Sequence, residues 1–369
     1  MIGAAVAALA SGCASAPSTV SRPAPAAVSS PVRSVFYAAS TLDASIKEYA
    51  TDSRGSFTSA GGASLTAGPG AQGVFAHPSG RFLYVANSGG SSVSGFAVDP
   101  ATGTLAPLEG SPYTAGKGAW GICGDPAGRY IYVTNYGSGT LSAYQVDPAT
   151  GTLAPVEGSP YVTGTNPAGV TVDSTGRFVY VANNGSNDVS LFLVQTPTGS
   201  LAADKRAAAD AELHPAGIAA DPAGRFLYVS NNGSASISVY GITPGTGAPV
   251  PTGSVKASGL SPWGIVISPS GRYLYAAEAG SDSISAYSIN AVNGLLAEVG
   301  GSPFPAGSSP RALAIDPSGG FLFAANFGSG SVSVYAIDGT TGALKAVPGS
   351  PFVTGPRPGG LAASRLEGP

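Results

Sequence analysis

Five side chains in this chain of 369 residues have the chemistry that a catalytic or anion-binding site requires. Glu278 and His214 can each accept a proton, so either could serve as a general base for water. Arg311 and Arg357 could bind a carboxylate or stabilise developing negative charge, and Trp263 could stack on a sugar ring. Because charged residues make up only 10% of the sequence, a cluster of these groups would be the best candidate for a site.

The loops that carry these residues belong to a repeat with a period of about 48 residues. Seven segments follow the pattern Arg-aromatic-aliphatic-aromatic-small-small-Asn or a close variant, and they begin at residues 33, 81, 129, 177, 225, 272 and 320. Alternation of apolar residues with Ser, Thr and Asn predicts strands with one buried face, and the Gly and Pro between them predict turns. A repeat of this length cannot bury its own apolar face, so the copies must stack side by side.

Each repeat can be divided into four strands, which is the unit of a β-propeller blade. Residues 33–69 lack an inner strand and residues 358–366 supply one, so the two segments complete one blade. We therefore predict an all-β, seven-bladed β-propeller over residues 33–369, with four antiparallel strands per blade and closure by N- and C-terminal strands in one blade. The other predicted blades cover residues 70–117, 118–165, 166–213, 214–260, 261–308 and 309–357.

Antiparallel connectivity places the loop between the second and third strands on the same face as the loop that enters the next blade. We call the opening of the central channel on this face the mouth, and the alignment predicts three rings of residues around it. The first ring is Gly70, Gly118, Asn166, His214, Ser261, Ser309 and Arg357. The second ring is Gln72, Trp120, Ala168, Ala216, Trp263, Arg311 and Gly359. The strand-end ring, at the ends of the second strands, is Ser40, Asn87, Asn135, Asn183, Asn231, Glu278 and Asn326.

The residues that depart from the pattern of these rings are His214, Trp263, Glu278, Arg311 and Arg357. They come from four consecutive blades, if the closed blade follows the seventh, and we expect them to lie together on one side of the mouth. The repeated Asn in the strand-end ring predicts turn chemistry instead of ligand binding, because an Asn side chain can bond its own backbone and tolerates left-handed turns.

The sequence YVTN at Tyr132 to Asn135 and the DPxGRF/Y signature, as at Asp125 to Tyr130, resemble the YVTN-repeat and lactonase families of seven-bladed propellers. The resemblance covers residues 33–366. It implies a lactone hydrolase, for which 6-phosphogluconolactone is the family's reference substrate, or alternatively a non-catalytic cell-envelope propeller that binds a glycan, peptide or protein. For the enzyme it implies that Glu278, His214 and Arg311 are catalytic. The substrate-binding residues would be Arg357, Trp263, Trp120, Gln72 and Asn166.

The chain departs from the family pattern near the predicted site. It keeps Pro310-Arg311, but Ala277 precedes Glu278 where the family has Asn, and Ser261-Pro262-Trp263 stands in place of an Arg-His pair. These departures favour the binding alternative. Because we expect export, an unphosphorylated lactone would fit better than a cytosolic sugar phosphate.

The first 32 residues differ in composition from the repeats. Residues 1–13 resemble a lipoprotein signal, since a short apolar stretch leads into Ala10-Ser11-Gly12-Cys13, and residues 14–32 are an Ala/Ser/Pro-rich tether. We predict lipidation of Cys13 and attachment to the bacterial cell envelope, with contact to the membrane only through the lipid anchor. An ordinary secretory signal is the alternative.

Several other chemistries have no support in the sequence. There is no basic run to attract nucleic acid, and the net charge is −3. No CxxC pair, HxxxH spacing, GxSxG turn or phosphate-binding GxxxxGK[ST] loop is present. We therefore expect no metal and no cofactor, a small-molecule lactone or glycan as the ligand, and a monomer.

Overall fold

The computed structural model describes residues 34–51, 57–59, 64–204 and 208–365. The predicted signal, including Cys13, and the predicted tether lie outside these residues. The described strands form seven sheets, and each is antiparallel, which confirms the prediction of an all-β, seven-bladed β-propeller. None of the described residues forms a helix of the length and hydropathy needed to cross a membrane.

Blade 1 contains strands from both ends of the described chain. Its strands are β1 (Ser34–Ser40), β2 (Ser45–Thr51), β3 (Phe57–Ser59), β4 (Leu65–Thr66) and β34 (Pro358–Arg365). The β34 strand is the innermost strand of the blade and pairs with β1, from Pro358 opposite Ser40 to Arg365 opposite Ser34. The closure predicted from the two incomplete repeats is therefore confirmed, and β1 has a partner on both sides.

The other six blades follow one another along the chain. Blade 2 is β5 (Ala71–Ala76), β6 (Phe82–Asn87), β7 (Ser92–Val98), β8 (Leu105–Pro107) and β9 (Tyr113–Thr114). Blade 3 is β10 (Ala119–Gly124), β11 (Tyr130–Asn135), β12 (Thr140–Val146), β13 (Leu153–Pro155) and β14 (Tyr161–Val162). Blade 4 is β15 (Pro167–Val172), β16 (Phe178–Asn183), β17 (Asp188–Val194), β18 (Leu201–Ala203) and β19 (Ala209–Asp210). Blade 5 is β20 (Pro215–Ala220), β21 (Phe226–Asn231), β22 (Ser236–Ile242) and β23 (Pro249–Lys256). Blade 6 is β24 (Pro262–Ile267), β25 (Tyr273–Glu278), β26 (Ser283–Ile289), β27 (Leu296–Glu298) and β28 (Phe304–Pro305). Blade 7 is β29 (Pro310–Ile315), β30 (Phe321–Asn326), β31 (Ser331–Ile337), β32 (Leu344–Ala346) and β33 (Phe352–Val353).

The outermost strand is divided into two short pieces in most blades, a detail that the sequence did not predict. In blade 2, for example, β8 and β9 both pair with β7. Proline has no N–H for the ladder, so Pro112 ends the pairing, and the hydroxyl of Ser111 accepts a hydrogen bond from the backbone of Gly95 at 2.9 Å instead. Gly-Ser-Pro occurs in blades 2, 3, 6 and 7; blades 1 and 4 are divided without it, and in blade 5, which also lacks it, the β23 strand is continuous.

The second aromatic residue of the repeated motif joins neighbouring blades. The hydroxyl of Tyr84 donates a hydrogen bond to the carbonyl of Gly151 in the next blade at 2.6 Å, and Tyr180 does the same to Gly247 at 2.7 Å. Equivalent bonds are made by Tyr37, Tyr228 and Tyr275. These tyrosines are completely buried among the aliphatic side chains that fill the spaces between sheets. The repeated motif therefore provides both the core and a polar link between blades.

The loop between the first and second strands lies on the face opposite the mouth. Asp125 in this loop accepts a hydrogen bond from the backbone of Arg129 at 2.5 Å. In blade 2, His77 takes the place of this aspartate, and its Nε2 lies 2.7 Å from the carbonyl of Gly128 while its Nδ1 lies 2.7 Å from the hydroxyl of Ser79. Because a carbonyl only accepts, Nε2 carries the proton. His77 is a structural residue in this loop, remote from the mouth.

Candidate active site at the channel mouth

Each inner strand contains a β-bulge at the end nearest the mouth. In blade 2, Gln72 and Gly73 both lie opposite Ala86 of the neighbouring strand. A bulge bends the strand and turns the extra residue out of the regular pleat, which is a common way to aim a side chain. Because the second ring occupies the bulge in every blade, its side chains are directed toward the channel.

The residue after the second ring is glycine in six blades, since the neighbouring blade is too close for a side chain. A Cβ added at Gly264 would lie 2.5 Å from the carbonyl oxygen of Arg311 in the next blade. The equivalent glycines are Gly73, Gly121, Gly169, Gly217 and Gly360, and blade 7 has Ala312 at this position. The bulge and the glycine together let the inner strands approach closely, which fixes the positions of the second-ring side chains.

The second ring surrounds one cavity at the mouth with a volume of about 220 Å³. All seven of its members line the cavity, as the alignment of the repeats predicts: Gln72, Trp120, Ala168, Ala216, Trp263, Arg311 and Gly359. Within the described part of the chain, the lining contains no Asp, Glu or His, and its polar side chains are those of Gln72 and Arg311. The cavity therefore offers an amide, a guanidinium and two indoles to a ligand.

The first ring has the same unusual backbone conformation in every blade. Its φ angles lie between 50° and 74°, the left-handed region that glycine adopts most easily. The carbonyl of each member accepts a hydrogen bond from the residue that follows the strand end of the same blade, as from Asn232 to His214 at 2.9 Å and from Phe327 to Ser309 at 2.9 Å. The first ring is thus formed by one backbone turn that is repeated in every blade, and this turn does not require a particular side chain.

Two first-ring side chains, Asn166 and His214, reach back to the preceding blade in the same way. Asn166 donates from Nδ2 to the carbonyl of Tyr136 at 3.0 Å, and Nδ1 of His214 lies 3.2 Å from the carbonyl of Asn184. Because the carbonyl must accept, this contact places the proton of a neutral imidazole on Nδ1 and leaves the lone pair on Nε2. His214 is exposed to solvent at the rim, two residues before the cavity-lining Ala216.

Arg311 is held between two aromatic rings. Its guanidinium carbon lies 3.9 Å from the ring centre of Phe327 and 5.2 Å from that of Trp263, and Arg357 lies 5.7 Å from the same Phe327 ring. Arg311 is partly buried, and its Nε has no hydrogen-bond partner among the described residues. Burial, followed by the charge of Arg357, lowers the pKa of the Arg311 guanidinium. Two cations thus face one phenyl ring without a neighbouring carboxylate in the cavity lining.

The two tryptophans of the chain meet across the mouth. Trp120 of blade 3 and Trp263 of blade 6 have ring centres 6.4 Å apart, and Trp120 is also 5.5 Å from Tyr136. These distances are typical of direct contact between aromatic rings. A continuous aromatic surface therefore extends from Tyr136 through both indoles to the guanidinium of Arg311.

The asparagines of the strand-end ring lie below the mouth and are completely buried. The prediction that they bond their own backbone is replaced by a different arrangement. Nδ2 of Asn135 donates to the hydroxyls of Thr140 and Ser142 on the facing third strand, at 3.0 and 2.9 Å. The same pair of bonds, to residues five and seven positions further on, is made by Asn87, Asn183, Asn231 and Asn326.

Glu278 occupies the asparagine position in blade 6. Its side chain is 0% exposed, does not line the cavity, and packs against Gly259. Among the described residues, neither carboxylate oxygen has a partner in hydrogen-bonding geometry, and the same is true of the nearby Ser285 hydroxyl. Burial raises the pKa of the Glu278 carboxyl to about 7, against a smaller opposing effect of Ser285. Glu278 is the last residue of a strand that ends near the mouth. Its carboxyl is nevertheless buried and does not contact the cavity, so a ligand there cannot reach it.

Comparison with known protein families shows to which family the chain belongs. The family model described as lactonase, 7-bladed β-propeller matches the chain over residues 26–166, 108–213, 156–263, 204–305 and 261–358, which together cover most of its length. The chain belongs to this lactonase family. The resemblance carried by the YVTN and DPxGRF/Y motifs is thereby confirmed.

Solved structures with the same fold include other lactonase propellers. A candidate 6-phosphogluconolactonase from Bacteroides uniformis is 22% identical, with a TM-score of 0.80 over 90% of this chain and 99% of its own. A periplasmic gluconolactonase from Pseudomonas aeruginosa is 21% identical, with a TM-score of 0.76 over 92% of this chain and 100% of its own. At these identities the likeness is one of fold. No curated protein matches the chain.

In this lactonase-family propeller, the structure brings together part of the predicted site. Trp263, Arg311 and Arg357 lie in one cluster, and Trp120 and Gln72 line the same cavity. His214 and Asn166 have their polar contacts with the loops of blades 4 and 3, and Glu278 lies below the surface.

Two further residues at the mouth were not identified from the sequence. Phe327 and Tyr136 each follow a strand-end asparagine, where the other blades have Thr41, Ser88, Asn184, Asn232 and Ala279. Tyr136 packs against Trp120, and Phe327 lies beneath both arginines. An aromatic residue in an otherwise small or polar turn position was the available signal.

Proposed function

We propose that the chain hydrolyses a lactone of a sugar-acid-like hydroxy acid at the mouth of its channel. One observation carries the proposal: Arg311 lines an aromatic cavity in a lactonase-family propeller, with its guanidinium carbon 5.2 Å from the ring centre of Trp263. A guanidinium in a partly desolvated site is suited to an oxygen that gains negative charge. The names of the solved relatives, a gluconolactonase and candidate 6-phosphogluconolactonases, support this substrate class.

In the proposed reaction, Arg311 stabilises the lactone carbonyl oxygen while water attacks the carbonyl carbon. His214 lies at the rim, outside the cavity lining, so it would take a proton from that water only where the substrate extends to the rim. Its Nε2 has the free lone pair for this step, since Nδ1 faces the carbonyl of Asn184. The bond between the carbonyl carbon and the ring oxygen then breaks, and the imidazolium returns its proton to the departing oxygen. Trp263 and Trp120 would hold the ring of the substrate, together with Gln72.

The proposed role of Glu278 differs from that of a group in direct contact with substrate. Its side chain is 0% exposed, so it can act as a base only if Ser258-Gly259 and the mouth loops open. In the closed arrangement it is a positioning residue next to Trp263, whose neighbour Pro262 pairs with Glu278 in the blade 6 sheet.

The test is hydrolysis by the purified chain of glucono-δ-lactone, 6-phosphogluconolactone and homoserine lactones, followed as acid release. We expect turnover with at least one lactone, and loss of roughly 100-fold or more in kcat/KM for Arg311→Gln and His214→Gln. Arg177→Gln is the matched control, because Arg177 lies on the opposite face and bonds the carbonyl of Gly245. Turnover that survives both mouth substitutions would exclude this assignment of roles.

A non-catalytic binding propeller is the second candidate, and it is favoured by the absence of Asp, Glu and His from the described cavity lining. For that function the aromatic and cationic mouth would hold a glycan or peptide without turnover. The same experiment separates the two candidates, since saturable ligand binding with no acid release from any lactone would support the binding protein.

We also propose that the chain is exported and lipidated at Cys13, on the strength of the Ala10-Ser11-Gly12-Cys13 sequence. Metabolic labelling with a radioactive fatty acid in a bacterial host should label the chain, and Cys13→Ser should abolish the label. A labelled Cys13→Ser variant, or an unlabelled wild type in the cytosolic fraction, would refute the anchor.

A further inference from the structure

Arg311 and Arg357 at the mouth carry two positive charges, and the described cavity lining contains no carboxylate to balance them. Arg311 and Arg357 share the Phe327 ring, at 3.9 and 5.7 Å from its centre, and the charge of Arg357 acts on Arg311. Among the residues that the structure describes, arginine ion pairs join Arg129 to Asp125 and Arg225 to Asp221 on the opposite face. Like charges held together beside a partly desolvated cavity are unfavourable unless an anion joins them.

The backbone at Arg357 gives a second and independent observation. Its φ is 50°, a conformation that glycine adopts without strain, and glycine does occupy this first-ring position in blades 2 and 3. The turn itself therefore does not require arginine. Asn166, His214, Ser261 and Ser309 adopt the same conformation in other blades, so the turn leaves the side chain at this position available for a role of its own. Here the side chain extends over Phe327, toward Arg311.

The aromatic contacts restrict the guanidinium of Arg311. Its carbon lies 3.9 Å from the ring centre of Phe327 and 5.2 Å from that of Trp263, and its Nε is buried, so a ligand in the cavity would meet the terminal nitrogens. A fixed guanidinium fork matches the two oxygens of a carboxylate or phosphate, and little side-chain freedom remains to be lost when such a group binds.

We propose that Arg311 and Arg357 form an anion site, built on Phe327, that binds a carboxylate or phosphate on the ligand. The inference rests on the proposed function for the identity of the ligand. A neutral lactone would offer only its carbonyl oxygen to Arg311, whereas the carboxylate released by ring opening would engage both arginines. The free hydroxy acid should then bind more tightly than its lactone and inhibit the reaction as a product.

The protein contains its own probe for this site. Trp120 and Trp263 are the two tryptophans of the chain and both line the cavity, so all tryptophan fluorescence originates at the mouth. Titrations of the full chain with gluconate, gluconamide and 6-phosphogluconate, at constant ionic strength, compare a carboxylate with a neutral amide of the same shape and with a phosphorylated acid. Inorganic phosphate alone is the fourth arm.

We expect gluconate to bind about tenfold or more tightly than gluconamide. Arg311→Gln should weaken gluconate binding by roughly 10- to 100-fold, and Arg357→Gln by a smaller factor because Arg357 is exposed. Both variants should weaken gluconamide binding less than gluconate binding, because the amide carries no charge. Phe327→Leu should weaken gluconate binding without removing a charge. Arg177→Gln should change nothing.

The outcomes also distinguish this inference from the proposed enzyme. Preferential binding of 6-phosphogluconate and inorganic phosphate over gluconate would identify the anion as phosphate and retain the site. Anion binding without hydrolysis of any lactone would retain the site and exclude the enzyme. Equal affinity for gluconate and gluconamide, or gluconate binding unchanged in both arginine variants, would refute the anion site, even for a chain that hydrolyses lactones.

Discussion

Glu278 is the one member of the strand-end ring whose side chain is a carboxylic acid. Four of the five asparagines at this level donate from Nδ2 to two hydroxyls, and Asn183 donates to the Asp188 carboxylate and the Ser190 hydroxyl. An ionised carboxylate has no hydrogen to donate in this way. Burial is the reason why this environment favours the protonated acid. The Ser285 hydroxyl has a smaller opposite effect, because a hydroxyl can donate to the carboxylate.

This pocket predicts a pH dependence of stability. Burial raises the pKa of Glu278 from 4.5 to about 7, so its protonated form is favoured in the folded state. The resulting stability is fully present below pH 4.5 and is lost as the pH rises through 7. Glu278→Gln should thus raise the free energy of unfolding at pH 8 by about 2 to 3 kcal/mol, with little gain at pH 4.5. Urea denaturation at both pH values measures the difference.

A reciprocal variant is the control for this prediction. Asn326→Asp places a carboxyl in the equivalent pocket of blade 7, where Asn326 now donates to Ser331 and Ser333. It should destabilise the chain by about 1 to 3 kcal/mol at pH 8 and by less at pH 4. If Glu278→Gln left the pH dependence of unfolding as it is in the wild type, the Glu278 carboxyl would not be its source.

The sequence predicts which residues share a ring, but not how deeply each one lies. Arg311 and Trp263 could be placed at the mouth because a regular period aligns them with Trp120 and Gln72. The burial of Glu278 could not be predicted from the period, since a side chain at a strand end can face the loop or the facing strand. The signal was present in the hydroxyl residues five and seven positions after most strand ends, including Ser283 and Ser285 after Glu278.

At the scale of the element, the bulge in each inner strand positions the mouth. The alternation of a strand predicts which face a residue occupies, but an extra residue shifts that alternation, and no residue type marks it unambiguously. The glycine that recurs directly after the second-ring residue is the sequence feature that accompanies the bulge. It is required because the carbonyl of the neighbouring blade occupies the space of a Cβ.

Gly264→Ala should therefore be costly. The new Cβ would lie 2.5 Å from the carbonyl oxygen of Arg311, so blades 6 and 7 must separate, and we expect a loss of about 1 to 3 kcal/mol in the free energy of unfolding. Since the displaced residue is Arg311, binding of gluconate should weaken as well. Gly300→Ala is the matched control, because nothing lies within 4 Å of its added Cβ. Equal stability of the two variants would show that the inner strands are less closely packed than the structure indicates.

The hydrogen bond that joins neighbouring blades can be tested with two buried tyrosines, only one of which makes it. Tyr180 donates to the carbonyl of Gly247 at 2.7 Å, whereas the hydroxyl of Tyr132, equally buried, has no partner among the described residues. Tyr180→Phe should lower the free energy of unfolding by about 1 kcal/mol, and Tyr132→Phe should be neutral or stabilising. Chemical denaturation of both variants gives the comparison. A loss at Tyr132 equal to that at Tyr180 would contradict a role for the hydrogen bond.

At the scale of the whole molecule, closure of the ring decides whether the mouth exists. The site draws on blades 3, 6, 7 and 1, and these surround one cavity only because β34 from one end of the described chain pairs with β1 from the other. The two incomplete repeats made this closure predictable from the sequence. The division of the outer strands was not predictable in the same way, because the outer strands of blades 1 and 4 are divided without the Gly-Ser-Pro sequence found at the break in blade 2.

Removal of residues 358–369 tests this dependence. Every residue of β1 is buried, so loss of β34 would expose the unpaired backbone edge of this strand next to Phe36 and Tyr37 and remove the inner strand of blade 1. We expect the truncated chain to lose its cooperative thermal transition, or to unfold at least about 15 °C below the full chain, and to associate on size-exclusion chromatography. A chain that lacks only residues 366–369 retains β34 and should behave as the full chain does. If both truncations unfolded at the temperature of the full chain, the strand from the C-terminal segment would not close the ring, and the arginines of blades 7 and 1 would have no reason to meet over Phe327.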